Sequence, residues 1–177
     1  KRIIHMAALL PPDSESYEGV RINIDGTANV FEVARLEGLE RVVYASSIAY
    51  YGPQENFGHR KVIENDVFHP ITIYGMTKAM KDFLAEKYTD KFGVDLRGVR
   101  ISTVFGHGRI KGNTGFVGQL ISNPAVGQPV DIPISPDDQS SFIYVEDAAE
   151  IFVRIALAKN LSFGVYNSGG QLATVGD

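Results

Sequence analysis

Tyr74-Gly75-Met76-Thr77-Lys78 sets a phenol and an ammonium four positions apart, and Ser46-Ser47 closes the segment Arg41 to Ala45 upstream. If residues 74–93 are helical, Tyr74 and Lys78 share one face, because side chains at i and i+4 lie one above the other. A unit charge about 6 Å away in an effective dielectric of about 20 is worth roughly 3 kcal/mol, so the lysine is expected to lower the tyrosine's pKa. A phenol so lowered is within range of general-base work near neutral pH. Taken alone, the two residues also fit an exposed helical pair, and Ser47 fits an N-cap or turn serine.

The elements that must hold these residues follow from apolar patterning. Ile3 and Ile4, followed by Ala7-Ala8 and Pro11-Pro12, read as a short buried strand ending in a loop. Apolar residues from Tyr17 to Leu36 fall mostly at helical spacing, and Gly38 stops the segment. Residues 41–45 are β-branched and aromatic enough for a buried parallel strand, with Ser47 just past its end. A connection rich in Gly, Pro and Asn spans 52–73, and the helix from Tyr74 ends near Lys91-Phe92-Gly93. Asp95 to Ser102 supplies another strand. Later, helices are expected near 116–122 and 145–158, and strands near 141–144 and 164–167.

Strand, helix, strand, helix, strand predicts an α/β fold with a doubly wound parallel sheet and a site at the carboxyl ends of its strands. The 177 residues show no repeat and no linker, so 1–177 is read as one domain. With 44% hydrophobic and 21% charged residues, the composition is that of a globular protein. A net charge of −4 without a Lys/Arg cluster gives no reason to expect nucleic acid or a membrane as partner. The absence of cysteine excludes thiol nucleophiles and thiolate metal sites. With no apolar run of membrane-spanning length and no signal peptide, it also points to a cytoplasmic protein. His5, His59, His69 and His107 share no ligand spacing, so no metal is implied; His5 reads as a buried, hydrogen-bonded histidine.

Five motifs in order carry a resemblance over essentially the whole chain. They are His5-Met6-Ala7-Ala8, Asn23-Ile24-Asp25-Gly26-Thr27, Ala45-Ser46-Ser47 before Tyr51-Gly52, the Tyr74-x-x-x-Lys78 pair, and Arg100. Together they resemble the extended short-chain dehydrogenase/reductases, the NAD-dependent epimerase/dehydratase family. The resemblance implies a Rossmann-like core over 1–102 and parts of the remainder, with a small substrate-binding portion from about 103–144 and a C-terminal part beyond this chain. It also implies a glycine-rich N-terminal βαβ unit that would precede Lys1. Tyr74 becomes the general base or acid on a substrate hydroxyl, Lys78 lowers its pKa and holds the nicotinamide ribose, and Ser47 hydrogen-bonds the same substrate oxygen. NAD is the expected cofactor, with NADP also open, and Met6, Ala7, Ala8, Tyr74, Lys78 and Ser102 are expected against it. Ser46, Ser47, Tyr74 and Thr103 are expected to face the substrate. Asn23 should tie its helix to the strand of Ser47, and Gly106-His107-Gly108 should form a loop over the substrate, since its spacing does not match a dinucleotide fingerprint. A homodimer through the helices at 17–36 and 74–93 is a further expectation.

Departures from the family pattern narrow the reaction. Ile48 and Ala49 stand where dehydratases and decarboxylases carry acids, so neither reaction is supported. Thr103 and Ser140 replace an asparagine and an arginine that address a nucleotide diphosphate, which weakens the nucleotide-sugar reading. The expected activity is hydride transfer between nicotinamide and a hydroxyl-bearing carbon of a sugar, nucleotide sugar or small hydroxy substrate. A dehydrogenase similar to L-threonine 3-dehydrogenase or uronate dehydrogenase stands beside epimerisation, and a non-catalytic NAD-sensing scaffold is the rival from another class.

Overall fold

β2 (Arg41–Ser47) is the axis of the molecule, with all seven of its residues buried. Val42 and Tyr44 face one way and pack with Phe31 and Ala34 of α1 (Tyr17–Leu36) and Ala85 of α2 (Ile73–Phe92). Val43 and Ala45 face the other way, against Phe152, Ile155 and Ala156 of α4 (Val145–Leu157). A strand alternates its side chains with period two, so helices on both faces require apolar residues at successive positions. Parallel pairing places β1 (Arg2–His5) on one side of β2, and β3 (Leu96–Ile101) then β6 (Val165–Asn167) on the other. The computed structural model describes residues 1–109, 112 and 114–174, so the expected domain is followed over those residues alone.

Local chemistry sets the helix ends. Ser16 accepts from the Gly19 amide at 3.1 Å to begin α1, and Thr72 accepts from the Gly75 amide at 3.0 Å to begin α2. Gly93 closes α2 at φ +68°, a left-handed conformation that glycine adopts without steric cost. Arg41 donates from Nη1 to the carbonyls of Ile155 and Ala158 at the end of α4, while its Nε holds Asp95 at 2.7 Å. One strand residue thereby satisfies the last carbonyls of a helix on the sheet's far side.

A second sheet follows β3. β4 (Thr103–Phe105) pairs in parallel with β5 (Gln139–Tyr144), and β5 pairs antiparallel with β7 (Gln171–Thr174); α3 (Phe116–Ala125) lies between β4 and β5 in sequence. β4 and β7 were not expected, and β2 runs two residues beyond its expected end, so that Ser47 is its last residue. Asn23 has a structural role, but its partner is not β2. Its side chain accepts from the Leu9 amide at 2.8 Å and donates to the Leu9 carbonyl at 3.0 Å, pinning the loop after β1 to α1.

Candidate active site

Ser47 ends β2 and its Oγ accepts from the Ala49 amide at 3.2 Å, capping a 3-10 turn over Ile48–Tyr50. Its cap role and its place at the strand end are therefore compatible. Gly75 brings α2 against that turn, since a Cβ there would lie 2.6 Å from the Ala49 carbonyl oxygen. Glu15, from the loop before α1, accepts from the amides of Ile73 and Tyr74 at 2.8 and 2.9 Å. A carboxylate on the free amides of a helix N-terminus is favoured by the helix dipole, and here it fixes the backbone that carries Tyr74. Glu15 was missed by sequence reasoning because it lies 59 positions from Tyr74.

Tyr74, Lys78 and Ser47 converge. The Lys78 Nζ lies 5.0 Å from the centroid of the Tyr74 ring and donates to the Ala45 carbonyl at 3.0 Å. The electrostatics differ from the sequence expectation. Burial pushes the Tyr74 pKa up, with the nearby Ser47 hydroxyl and Arg109 guanidinium pulling it back. Burial also pushes Lys78 down to about 7, helped by the charge of Lys81 and opposed by Asp82. A lysine so desolvated holds its proton weakly near neutral pH, so it lends the phenol less charge than the simple pair estimate assumed.

A cleft of about 820 Å³ opens beside this trio, along the C-terminal ends of β1, β2 and β3. Met6, Ala8, Ser46, Ser47, Tyr74, Lys78, Ser102 and Thr103 border it, whereas Ala7 is exposed outside its lining. Ser46 is buried beside the Asp82 carboxylate. The Ser102 hydroxyl is committed to the Gly169 carbonyl and lies 3.1 Å from that of Ser168. Thr103 and Ser140 lie 3.2 Å apart, oxygen to oxygen, so the two departures noted in the sequence meet as a neutral hydroxyl pair. His5 lies 3.3 Å from the Thr27 hydroxyl rather than in the cleft lining.

Arg109 is the functional candidate that sequence reasoning passed over. It borders the cleft near Tyr74, and its guanidinium donates to the Val104 carbonyl and the Thr114 hydroxyl. Lys78 and Arg109 are the lysine and arginine of the described lining, which contains no Asp or Glu. The signal available was a cation directly after Gly106-His107-Gly108, a segment that borders the cleft.

The residues present suit a nicotinamide ribose. An ammonium carries three donors, and the Ala45 carbonyl is the one acceptor found for Lys78 among the described residues, leaving donors for sugar hydroxyls. The cleft at strand C-termini is also where doubly wound sheets bind ligands.

Residues 1–169 match the model of the NAD dependent epimerase/dehydratase family. An uncharacterized protein of Methanocaldococcus jannaschii is 31% identical over 155 residues, which is 86% of this chain and 45% of that protein. Among solved structures, L-threonine dehydrogenase from Phytophthora infestans is 28% identical with a TM-score of 0.89, covering 99% of this chain and 58% of its own. UDP-N-acetylglucosamine 4-epimerase from Methanobrevibacter ruminantium, in complex with UDP-N-acetylmuramic acid, is 25% identical with a TM-score of 0.85, covering 99% and 57%. The chain spans about half the length of the curated relatives it matches.

Proposed function

We propose, from the premise that this chain belongs to the NAD dependent epimerase/dehydratase family, that it carries the acid/base half of an enzyme acting on a hydroxyl-bearing carbon. The observation that carries this reading is the meeting of Ser47, Tyr74 and Lys78 at the edge of one cleft. NAD, when bound, supplies the hydride acceptor or donor. Tyr74 takes the proton of the substrate hydroxyl as the carbon is oxidised and returns it on reduction. Ser47 holds the same oxygen, and Lys78 turns its remaining donors to ribose hydroxyls while its charge favours the tyrosinate. Met6 and Ala8 border the space where the cofactor would enter.

The substrate is a sugar or small hydroxy compound bearing an anionic group. Supporting this, Lys78 and Arg109 face a cleft whose described lining has no carboxylate, and a guanidinium can bind a carboxylate or phosphate through two donors. Net dehydrogenation, as in the threonine dehydrogenase relative, is favoured over nucleotide-sugar epimerisation by the neutral Thr103–Ser140 pair. Epimerisation remains the second reading, supported by the 4-epimerase neighbour.

The activity test is Tyr74→Phe in the intact protein, screened with NAD against L-threonine, uronates, sugar acids and UDP-sugars, with product analysis for redox-neutral epimerisation. Turnover should fall about 10²–10⁴-fold while NAD binding survives. Unchanged turnover would overturn the assignment, and NAD binding without turnover on any substrate would favour the sensing scaffold.

A homodimer is part of the same proposal, in a cytoplasmic setting compatible with a sequence free of cysteine. Tyr17, Val20, Val33 and Leu36 of α1 and Met76, Met80 and Phe83 of α2 are exposed. Two copies pairing these helices about a two-fold axis would cover them. Sedimentation showing only monomer across the micromolar range would refute that assembly. No helix among the described residues is long and apolar enough to cross a membrane.

A further inference from the structure

Behind the phenol of Tyr74, α2 buries more positive charge than negative. Lys78 and Lys81 lie three residues apart on the helix and are 2% and 1% exposed, and Arg100 enters the same interior from β3. Among the described residues, Asp82 is the one buried carboxylate, and its Oδ2 is held by Arg100 Nε at 2.9 Å. The reading of Tyr74 and Lys78 as an acid/base pair calls for one cation. The fold supplies two lysines.

The groups around Lys78 come from each packed element. α2 contributes Tyr74, Lys81 and Asp82, β1 contributes His5, β2 contributes the Ala45 carbonyl, and β3 contributes Arg100 through Asp82. Burial holds His5 at about 4, with Lys81 and then Lys78 adding to the effect. Lys81 itself is held at about 8, chiefly by burial and opposed by the charge of Asp82. Like charges in one low-dielectric cluster disfavour each other's protonation, so two adjacent ammonium groups sharing a carboxylate already engaged by arginine do not both stay charged at no cost.

We propose that Lys81 is a positioning residue of this site, whose buried ammonium opposes the charge on Lys78 and makes Lys78 a group that gains and releases a proton during function. The proposal rests on the reading of Tyr74 and Lys78 as the acid/base pair. When the phenol loses its proton, the negative charge left on it favours uptake of a solvent proton at Lys78. When the phenol is reprotonated, Lys78 releases that proton. Charge is thus created and removed as a pair, in a site where an isolated charge is costly.

The test is an NMR titration of the intact protein carrying ¹³C at lysine Cε, with the Lys78 signal assigned through Lys78→Arg. Wild-type Lys78 should titrate well below the ordinary lysine range. In Lys81→Met and Lys81→Gln its midpoint should move to higher pH by about one pH unit, whereas Lys81→Arg should leave it near the wild-type position. The pH profile of turnover should follow, with its Lys78-dependent limb moving in the same direction in the neutral variants and restored by arginine. A Lys78 midpoint that is the same in wild type and both neutral variants overturns the proposal. So does an arginine variant that behaves like methionine, or a wild-type Lys78 that titrates as an ordinary lysine. The titration needs neither cofactor nor substrate, so its outcome is separate from that of Tyr74→Phe.

Discussion

Gly75→Ala should damage the site more than the fold. Gly75 follows Tyr74 inside α2, where alanine is favoured over glycine by about 0.5–1 kcal/mol through the unfolded chain and helix propensity. The added Cβ, however, would lie 2.6 Å from the Ala49 carbonyl oxygen, 2.9 Å from Cβ of Pro70 and 3.3 Å from the Thr72 hydroxyl. Ordinary contact begins at 3.4 Å, so 3.4 minus 2.6 means that α2 and the turn after Ser47 must part by about 0.8 Å. Overpacking of this kind costs about 1–3 kcal/mol, leaving a net destabilisation of about 0–2.5 kcal/mol. The larger effect is on chemistry, because the displaced backbone carries both Ser47 and Tyr74. A misplacement near 1 Å can lower turnover by about 10²-fold. The assay compares kcat and urea-unfolding midpoints of wild type and Gly75→Ala in the intact protein. If kcat stays within about twofold while the variant folds, the close approach of α2 to Ala49 does not set the Ser47–Tyr74 geometry, and the reasoning fails.

Two further outcomes concern buried charge. His5 is held at about 4 against an ordinary value of 6.5, chiefly by burial, so the unfolded chain binds a proton first as the pH falls. Stability from this group should be intact above about 6.5 and be lost progressively toward about 4, and urea midpoints across that window should flatten in His5→Gln. Asp82→Ala would leave Arg100 without its carboxylate while the Tyr51 hydroxyl, the Glu64 carbonyl and the Tyr50 ring at 3.5 Å remain. The expected cost is about 3 kcal/mol by urea unfolding, the low end for breaking a buried pair, and a cost below about 1 kcal/mol would show that the neutral partners suffice.

The long elements could be read from sequence because each carries its own punctuation. Gly38 and Gly93 stop the helical spacing of α1 and α2, and residues 41–45 have the β-branched and aromatic character of a strand buried on two faces. β4 and β7 have three and four residues and owe their existence to pairing with β5, a long-range relation with no local signature. The trio of Ser47, Tyr74 and Lys78 was accessible from spacing and resemblance, but its electrostatics were not. The pair estimate assigned Lys78 a full charge, and the burial that weakens that charge depends on Lys81, Asp82 and the sheet beneath them. Glu15 was hidden because it lies distant in sequence from Tyr74, and Arg109 because it lies in a loop whose glycines drew attention first.

The Tyr51 hydroxyl has a consequence for how the molecule opens. It accepts from Arg100 Nη1 at 2.7 Å and lies 2.7 Å from Asn167 Oδ1 and 3.0 Å from the Ile63 carbonyl oxygen, between which its single proton must choose. Together with Glu64, whose carbonyl accepts from Arg100 and whose carboxylate accepts from the Asn167 amide, this phenol joins the connection between β2 and α2 to β3 and to the last residue of β6. That connection is irregular in conformation, yet Tyr51 makes it part of the sheet's cooperative unit. In hydrogen exchange, the protected amides of residues 48–72 should therefore open together with those of β3 and β6. Tyr51→Phe leaves the Glu64 contacts in place, so it should speed the opening of these amides relative to those of β3 and β6 without freeing them completely.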